Sequence, residues 1–253
     1  MEPWRTAITN SDETHIWYKG HDLATLMTQN TFTDTIFLLY KERLPNLHER
    51  QLLDAILSAS ADHGPGSPSA ASARLVANGN RESFSAAIAA GVLAIGDAHG
   101  GAGEACMELI AQGVELTHSD SISIEEAVKR IADDFRARGM RLPGMGHRTH
   151  TTDPRKDILF NIAREGNLAG EGIAFMLALE EYVRVQIKPL PINVDGAIAA
   201  VLFDMGFPAP AGKLLFVIGR VAGLTVEVLE EYTREKPMRV KFPVAYDGPS
   251  PKE

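Results

Sequence analysis

Residues 142–155, Leu-Pro-Gly-Met-Gly-His-Arg-Thr-His-Thr-Thr-Asp-Pro-Arg, hold the densest potential chemistry in this chain. Gly144 and Gly146 flank Met145, so the backbone there can turn sharply and come close to a ligand. His147 follows at once, and Arg148 and Arg155 add fixed cations suited to carboxylates or phosphates. Asp153 and Pro154 read as the N-cap and first residue of a helix that runs on through Ile158 and Leu159. Taken alone, this is a loop with a surface histidine. Four other stretches change that reading.

Each of those stretches interrupts an apolar helix with an ionisable side chain beside glycine or proline: Asp62-His63, residues 96–101, residues 193–196, and Gly219-Arg220. A helix end leaves backbone groups unpaired, so an interruption inside an apolar run needs a reason, and a cleft is one. His99 is placed at a helix N-terminus, where the dipole keeps an imidazole neutral and able to donate a hydrogen bond. Asp195 also precedes a helix and has two roles open to it, a base in the cleft or a simple N-cap. His147 and His150 are three apart, but the glycines beside them argue against the helix that would turn both toward a metal, so no metal is expected.

These residues need helices to hold them. Spacing predicts helix from Asp22 until Pro45 breaks the chain, helices over about 52–61, 68–77 and 83–94, helix again from Glu104 through Ile110, and helices over about 123–139, 154–164, 169–187, 197–205 and 212–229. A hairpin spans residues 6–18 with its turn at 10–13, ended by Lys19-Gly20, and residues 238–246 are extended. The expected fold class is therefore all-α with a small N-terminal hairpin. A chain of 253 residues with 45% hydrophobic content can build one large domain or two modest ones. A net charge of −8 argues against a nucleic-acid surface. The single Cys106 excludes an internal disulfide and a cysteine-based zinc cluster. No run reaches membrane-spanning length and the N-terminus has no apolar signal core, so no membrane association and a cytoplasmic location are expected.

The motifs, taken in order, resemble the citrate synthase superfamily. Gly96-Asp-Ala-His-Gly-Gly-Ala matches its Gly-Pro-Leu-His-Gly-Gly-Ala. Gly144-Met-Gly-His147, then Asp153-Pro-Arg155, matches its Gly-x-Gly-His and Asp-Pro-Arg, with a spacer one residue shorter. Asn193-Val-Asp195, Ser60-Ala-Asp-His63 and Arg220-Val-Ala-Gly match three further motifs, and the order is collinear over nearly the whole chain. The chain is shorter than complete synthases, and Lys241-Phe-Pro-Val-Ala-Tyr246 stands where they carry Arg-Pro-x-x-x-Tyr. The short form and the phrases Ala61-Asp-His-Gly-Pro, Ala94-Ile-Gly-Asp and Asn193-Val-Asp-Gly are more similar to citryl-CoA lyase and the C-terminal part of ATP-citrate lyase.

The resemblance implies a citrate synthase-like fold with a large domain over 1–104 and 201–253 and a small domain over 105–200. It implies Asp195, His99 and His147 as catalytic residues. His63, Arg155 and Arg220 would hold a dicarboxylate, the arginines by bidentate pairs. Leu142, Pro143, Gly144, Met145 and Gly146 would lie against coenzyme A. The expected activity is cleavage of citryl-CoA to acetyl-CoA and oxaloacetate. A shortened synthase condensing the same two products and a non-catalytic regulatory subunit are the alternatives. Coenzyme A enters as a thioester substrate rather than a resident cofactor. The expected assembly is a homodimer.

Overall fold

A computed structural model describes residues 2–146 and 153–249. Eleven helices and one small sheet are found among the described residues, which establishes the mostly helical class. By packing, the chain divides into one unit of Met1–Ala61 with Gly96–Arg220 and a second of Asp62–Ile95 with Val221–Glu253. These boundaries differ from the expected partition at 105–200.

The sheet is antiparallel, β1 (Thr9–Ser11), β2 (Ile16–Tyr18) and β3 (His21–Asp22), in that order. Its first turn lies two residues beyond the expected position. Ser11 pairs with Ile16, and the Asp12 carboxylate accepts the N–H groups of Thr14 and His15, both at 2.8 Å. That side-chain turn outcompetes one centred on Ser11. Lys19 and Gly20, read as an end, instead form a two-residue left-handed turn, φ 47° and 82°, that leads into β3. Asp22 then caps α1 (Leu23–Gln29) by accepting from Thr25 N–H.

Helices α2 (Phe32–Lys41) and α3 (Leu47–Ser60) both start with reciprocal capping boxes, Thr31 with Asp34 and Asn46 with Glu49. Their apolar faces, including Phe37, Leu52 and Ile56, join the core of the first unit. That core continues through α6 (Ala102–Ser119), α7 (Ile124–Ala137), α8 (Pro154–Glu165) and α9 (Glu171–Gln186). At its centre is α10 (Val194–Asp204), apolar on all sides and buried along most of its length. Both ends of α10 are tied. At its C-terminal end, Asp204 accepts the N–H groups of Gly170, Gly172 and Ile173 at 2.7–3.1 Å and so caps α9, whose own cap residue Gly170 has no side chain.

The second unit packs α4 (Pro68–Gly79) against α5 (Phe84–Leu93) and the later part of α11 (Ala211–Arg234). Ala70, Ala73, Ala77 and Ala87 let the backbones approach, with Leu224 and Val228 between them. Arg74 binds Glu227, Glu230 and Glu231, and Glu231 also pairs with Arg239. Asn78 receives the backbone N–H groups of Met238, Arg239 and Val240. Residues 238–246 form no strand. Among the described residues no helix is long and apolar enough to cross a membrane.

Candidate active site

Asp195 stands in the first turn of α10, but it is not the cap. Asn193 is, its side chain accepting Gly196 N–H at 3.1 Å. Of the two roles open to Asp195 from the sequence, the structure removes the N-cap. Asn193 also ties the glycine loop to this helix: its Nδ2 donates to Gly146 O at 2.9 Å and its N–H to Gly144 O at 3.0 Å, while Gly146 N–H donates to Pro191 O at 2.7 Å. The loop needs its glycines for two reasons. Gly144 has φ +77°, and a Cβ there would sit 2.6 Å from Cys106 Sγ and 2.7 Å from Gly196 Cα. Gly196 in turn has room for no side chain against Gly144 O, so two backbones pass in direct contact beside Asp195.

A cleft of 810 Å³ opens over this contact. Leu142, Pro143, Gly144, Met145 and Gly146 all line it, together with Asn193 and Asp195. Arg136, Arg141 and Lys188 stand at its exposed side. None of these three makes an ion pair among the described residues, although nine other arginines do. In a chain of net charge −8, that is a local gathering of cations.

The Asp195 carboxyl reaches the cleft on one side and is otherwise enclosed. Desolvation by burial pushes it up to about 6, against the opposing pull of the Arg155 and Arg220 guanidinium charges; Asp153 adds a smaller push in the same direction as burial. No hydrogen bond to it is found among the described residues. A carboxyl of this kind can take or return a proton near neutral pH. Beneath it lies Cys106, whose thiol is driven upward by burial and then by the Asp195 charge. It stays a neutral thiol and is no nucleophile.

Arg155 and Asp153 occupy the start of α8 as expected, Asp153 capping Arg155 N–H at 3.1 Å with Pro154 in the first turn. The bidentate fork expected to serve a substrate is, however, taken on one edge. Arg155 Nε and Nη2 donate to the two Asp153 oxygens at 2.9 and 2.8 Å. Arg220 is almost wholly buried, donates from Nε to Ser60 O at 2.8 Å, and lies over the Phe216 ring with its Cζ 4.9 Å from the centroid. The same ring meets His99 edge-on at 6.4 Å between centroids.

His99 is held by a closed turn, in which Gly96 and His99 exchange backbone hydrogen bonds and Gly101 N–H returns to Gly96 O. Gly100 has φ +70°, and a Cβ there would strike Phe216 at 2.1 Å. His99 therefore sits two residues before Gly101, the cap of α6. Its neighbours Asp97 and Ala98 line the cleft. Phe216, whose ring meets both His99 and Arg220, escaped the sequence reading; its one signal was the four-residue spacing to Arg220 on a helix.

Of the expected site residues in the first unit, Asp195 and residues 142–146 line the cleft, and His99, Arg155 and Arg220 do not. His63 is exposed in a turn of the second unit, next to Asp62, whose carboxylate accepts Gly64 N–H. His147 lies outside the described residues, immediately after Gly146. Among the described residues no group of three or more His, Cys, Asp or Glu is arranged to hold a metal ion.

Comparison with known proteins bears on what this cleft serves. The family described as citrate synthase, C-terminal domain, matches residues 46–241. The solved citryl-CoA lyase of Hydrogenobacter thermophilus is 39% identical, with a TM-score of 0.89 over 100% of this chain and 97% of that one. An ATP citrate lyase of Methanosaeta concilii, solved with (3S)-citryl-CoA, shares the fold at a TM-score of 0.82 and 20% identity, covering 99% of this chain and 43% of that one. The citrate synthase of Haloferax volcanii is 30% identical over 217 residues, 83% of this chain and 54% of its own length. The chain spans about half or less of the length of the curated relatives it matches.

Proposed function

This chain belongs to the citrate synthase family, and on that premise we propose that it is a citryl-CoA lyase, cleaving citryl-CoA to acetyl-CoA and oxaloacetate. The observation that carries the reading is the likeness, end to end, to a citryl-CoA lyase at 39% identity, against 18–30% for citrate synthases.

In cleavage, His147 accepts the proton of the tertiary hydroxyl as that oxygen becomes the keto oxygen of oxaloacetate. The electrons of the broken carbon–carbon bond pass to the thioester as an enolate. Neutral His99 donates a hydrogen bond to the enolate oxygen. Asp195 returns a proton to the enolate carbon, giving the acetyl methyl group. A carboxyl pushed up to about 6 supports this role, because it retains part of its proton near neutral pH. His63, Arg155 and Arg220 hold the carboxylates, Arg155 through the atoms that Asp153 leaves open. The loop of residues 142–146 takes coenzyme A, and Arg136, Arg141 and Lys188 suit its phosphates. The large and small domains, 105–200 being the small one, close to exclude water from the enolate. The working form is a homodimer.

The family match also favours the shortened synthase as a second reading. The test is to incubate the purified protein with citryl-CoA, and separately with acetyl-CoA plus oxaloacetate, and to follow the CoA species. Acetyl-CoA should form rapidly from citryl-CoA, with little free CoA from the second mixture. Free citrate and CoA formed as fast as citryl-CoA is cleaved would make the protein a synthase. Inertness in both would leave the regulatory subunit.

A further inference from the structure

A helix cap needs one acceptor bond, and Asp153 makes three to the same residue. Besides Arg155 N–H, its carboxylate takes Arg155 Nε and Nη2 in a fork pair, with the Asp153 side chain wholly enclosed. That pair occupies one edge of the guanidinium and leaves Nη1 and the outer side of Nη2; Nη1 lies 3.5 Å from Ala59 O. The direction in which the cation faces is thus set by a buried anion rather than by its own rotamer preferences.

Among the described residues, the charges around Asp195 also come out even. Asp153 and Arg155 approach from α8, Arg220 from α11, and α6 contributes only the neutral Cys106 thiol; Arg141, Lys188 and Asp97 stand in the surrounding cleft wall. Two carboxylates therefore face two buried or half-buried guanidiniums. Asp153 is the charge that opposes both arginines at Asp195 among the described residues.

We propose that Asp153 is a positioning residue for the reaction, aiming the open edge of Arg155 at a substrate carboxylate and balancing the charge around Asp195. The aim toward a carboxylate rests on the lyase reading; the charge balance does not.

Asp153→Asn and Asp153→Ser both keep a good N-cap, so the helix start survives while the fork and the charge go. With either variant, KM for citryl-CoA should rise about tenfold, the scale of one misaimed charge-assisted hydrogen bond. Affinity for coenzyme A alone, which carries no substrate carboxylate, should hold. The pH limb of kcat that reports Asp195 should move about one unit more acidic, because a like charge has been removed. Carboxyl-detected NMR titration of Asp195 reads that shift without substrate. If the wild type cleaves citryl-CoA and both variants keep its KM and its pH limb, the positioning role is overturned and the lyase reading stands. If the wild type does not cleave citryl-CoA, the lyase reading falls. The NMR titration then decides: an Asp195 that titrates alike in wild type and variants overturns the charge-balancing role too.

Discussion

A carboxyl held at about 6 in the folded protein costs stability whenever it is ionised. Burial raises Asp195 above its ordinary 3.8, so its favourable contribution is present below about pH 4 and is lost as pH rises through about 6. At pH 7.5 the loss is of order 1–3 kcal/mol. Asp195→Asn keeps the shape and removes the charge. Its urea midpoint should therefore exceed that of wild type at pH 7.5, with the difference shrinking toward zero at pH 4. Turnover should fall by at least about two orders of magnitude, the usual scale for general acid–base catalysis. An asparagine variant that is less stable at pH 7.5 would mark Asp195 as a structural group instead.

The first turn of α10 and the glycine loop work as one part. Asn193 contributes three hydrogen bonds to that joint, capping Gly196, donating its amide to Gly146 O and its backbone to Gly144 O. Asn193→Ala removes the two that use its side chain. Loss of the cap should lower stability by about 1 kcal/mol. The loop should also loosen beside Asp195, so the apparent affinity for a coenzyme A thioester should weaken more than that stability loss alone explains. Equilibrium unfolding and thioester binding measured on the same preparation separate the two. Loss of stability with unchanged binding would show that the loop holds its course without Asn193.

In the second unit, α5 is apolar around most of its circumference, yet only Ala87 and Gly91 are buried along it. Leu93 is 85% exposed, and Phe84, Val226 and Leu229 are each at least half exposed. An apolar helix left open in this way is a candidate for burial against a second copy. The protein at micromolar concentration should sediment as a dimer, and Leu93→Lys should shift it toward monomer. A monomeric wild type would remove the homodimer from the proposed function.

The sequence by itself determined the helical class, most helix positions within a few residues, the cap at Asp153, and the motif set, because these depend on local spacing and on side chains reaching their own backbone. It misplaced the turn at 12–15 and missed β3, since a two-residue strand next to a two-residue turn leaves almost no periodicity to read. Asp195 looked equally like a cap or a base; only the presence of Asn193 at the cap decided it. The pairing of Gly144 with Gly196, fifty-two positions away, and the Phe216 ring between His99 and Arg220 have no local signature, because each depends on which helices pack together. The same holds for Asp153. Its cap is legible three residues at a time, but its grip on Arg155 beside a buried Asp195 exists only once α8, α10 and α11 have closed around one shared core and removed the water that would otherwise screen their charges.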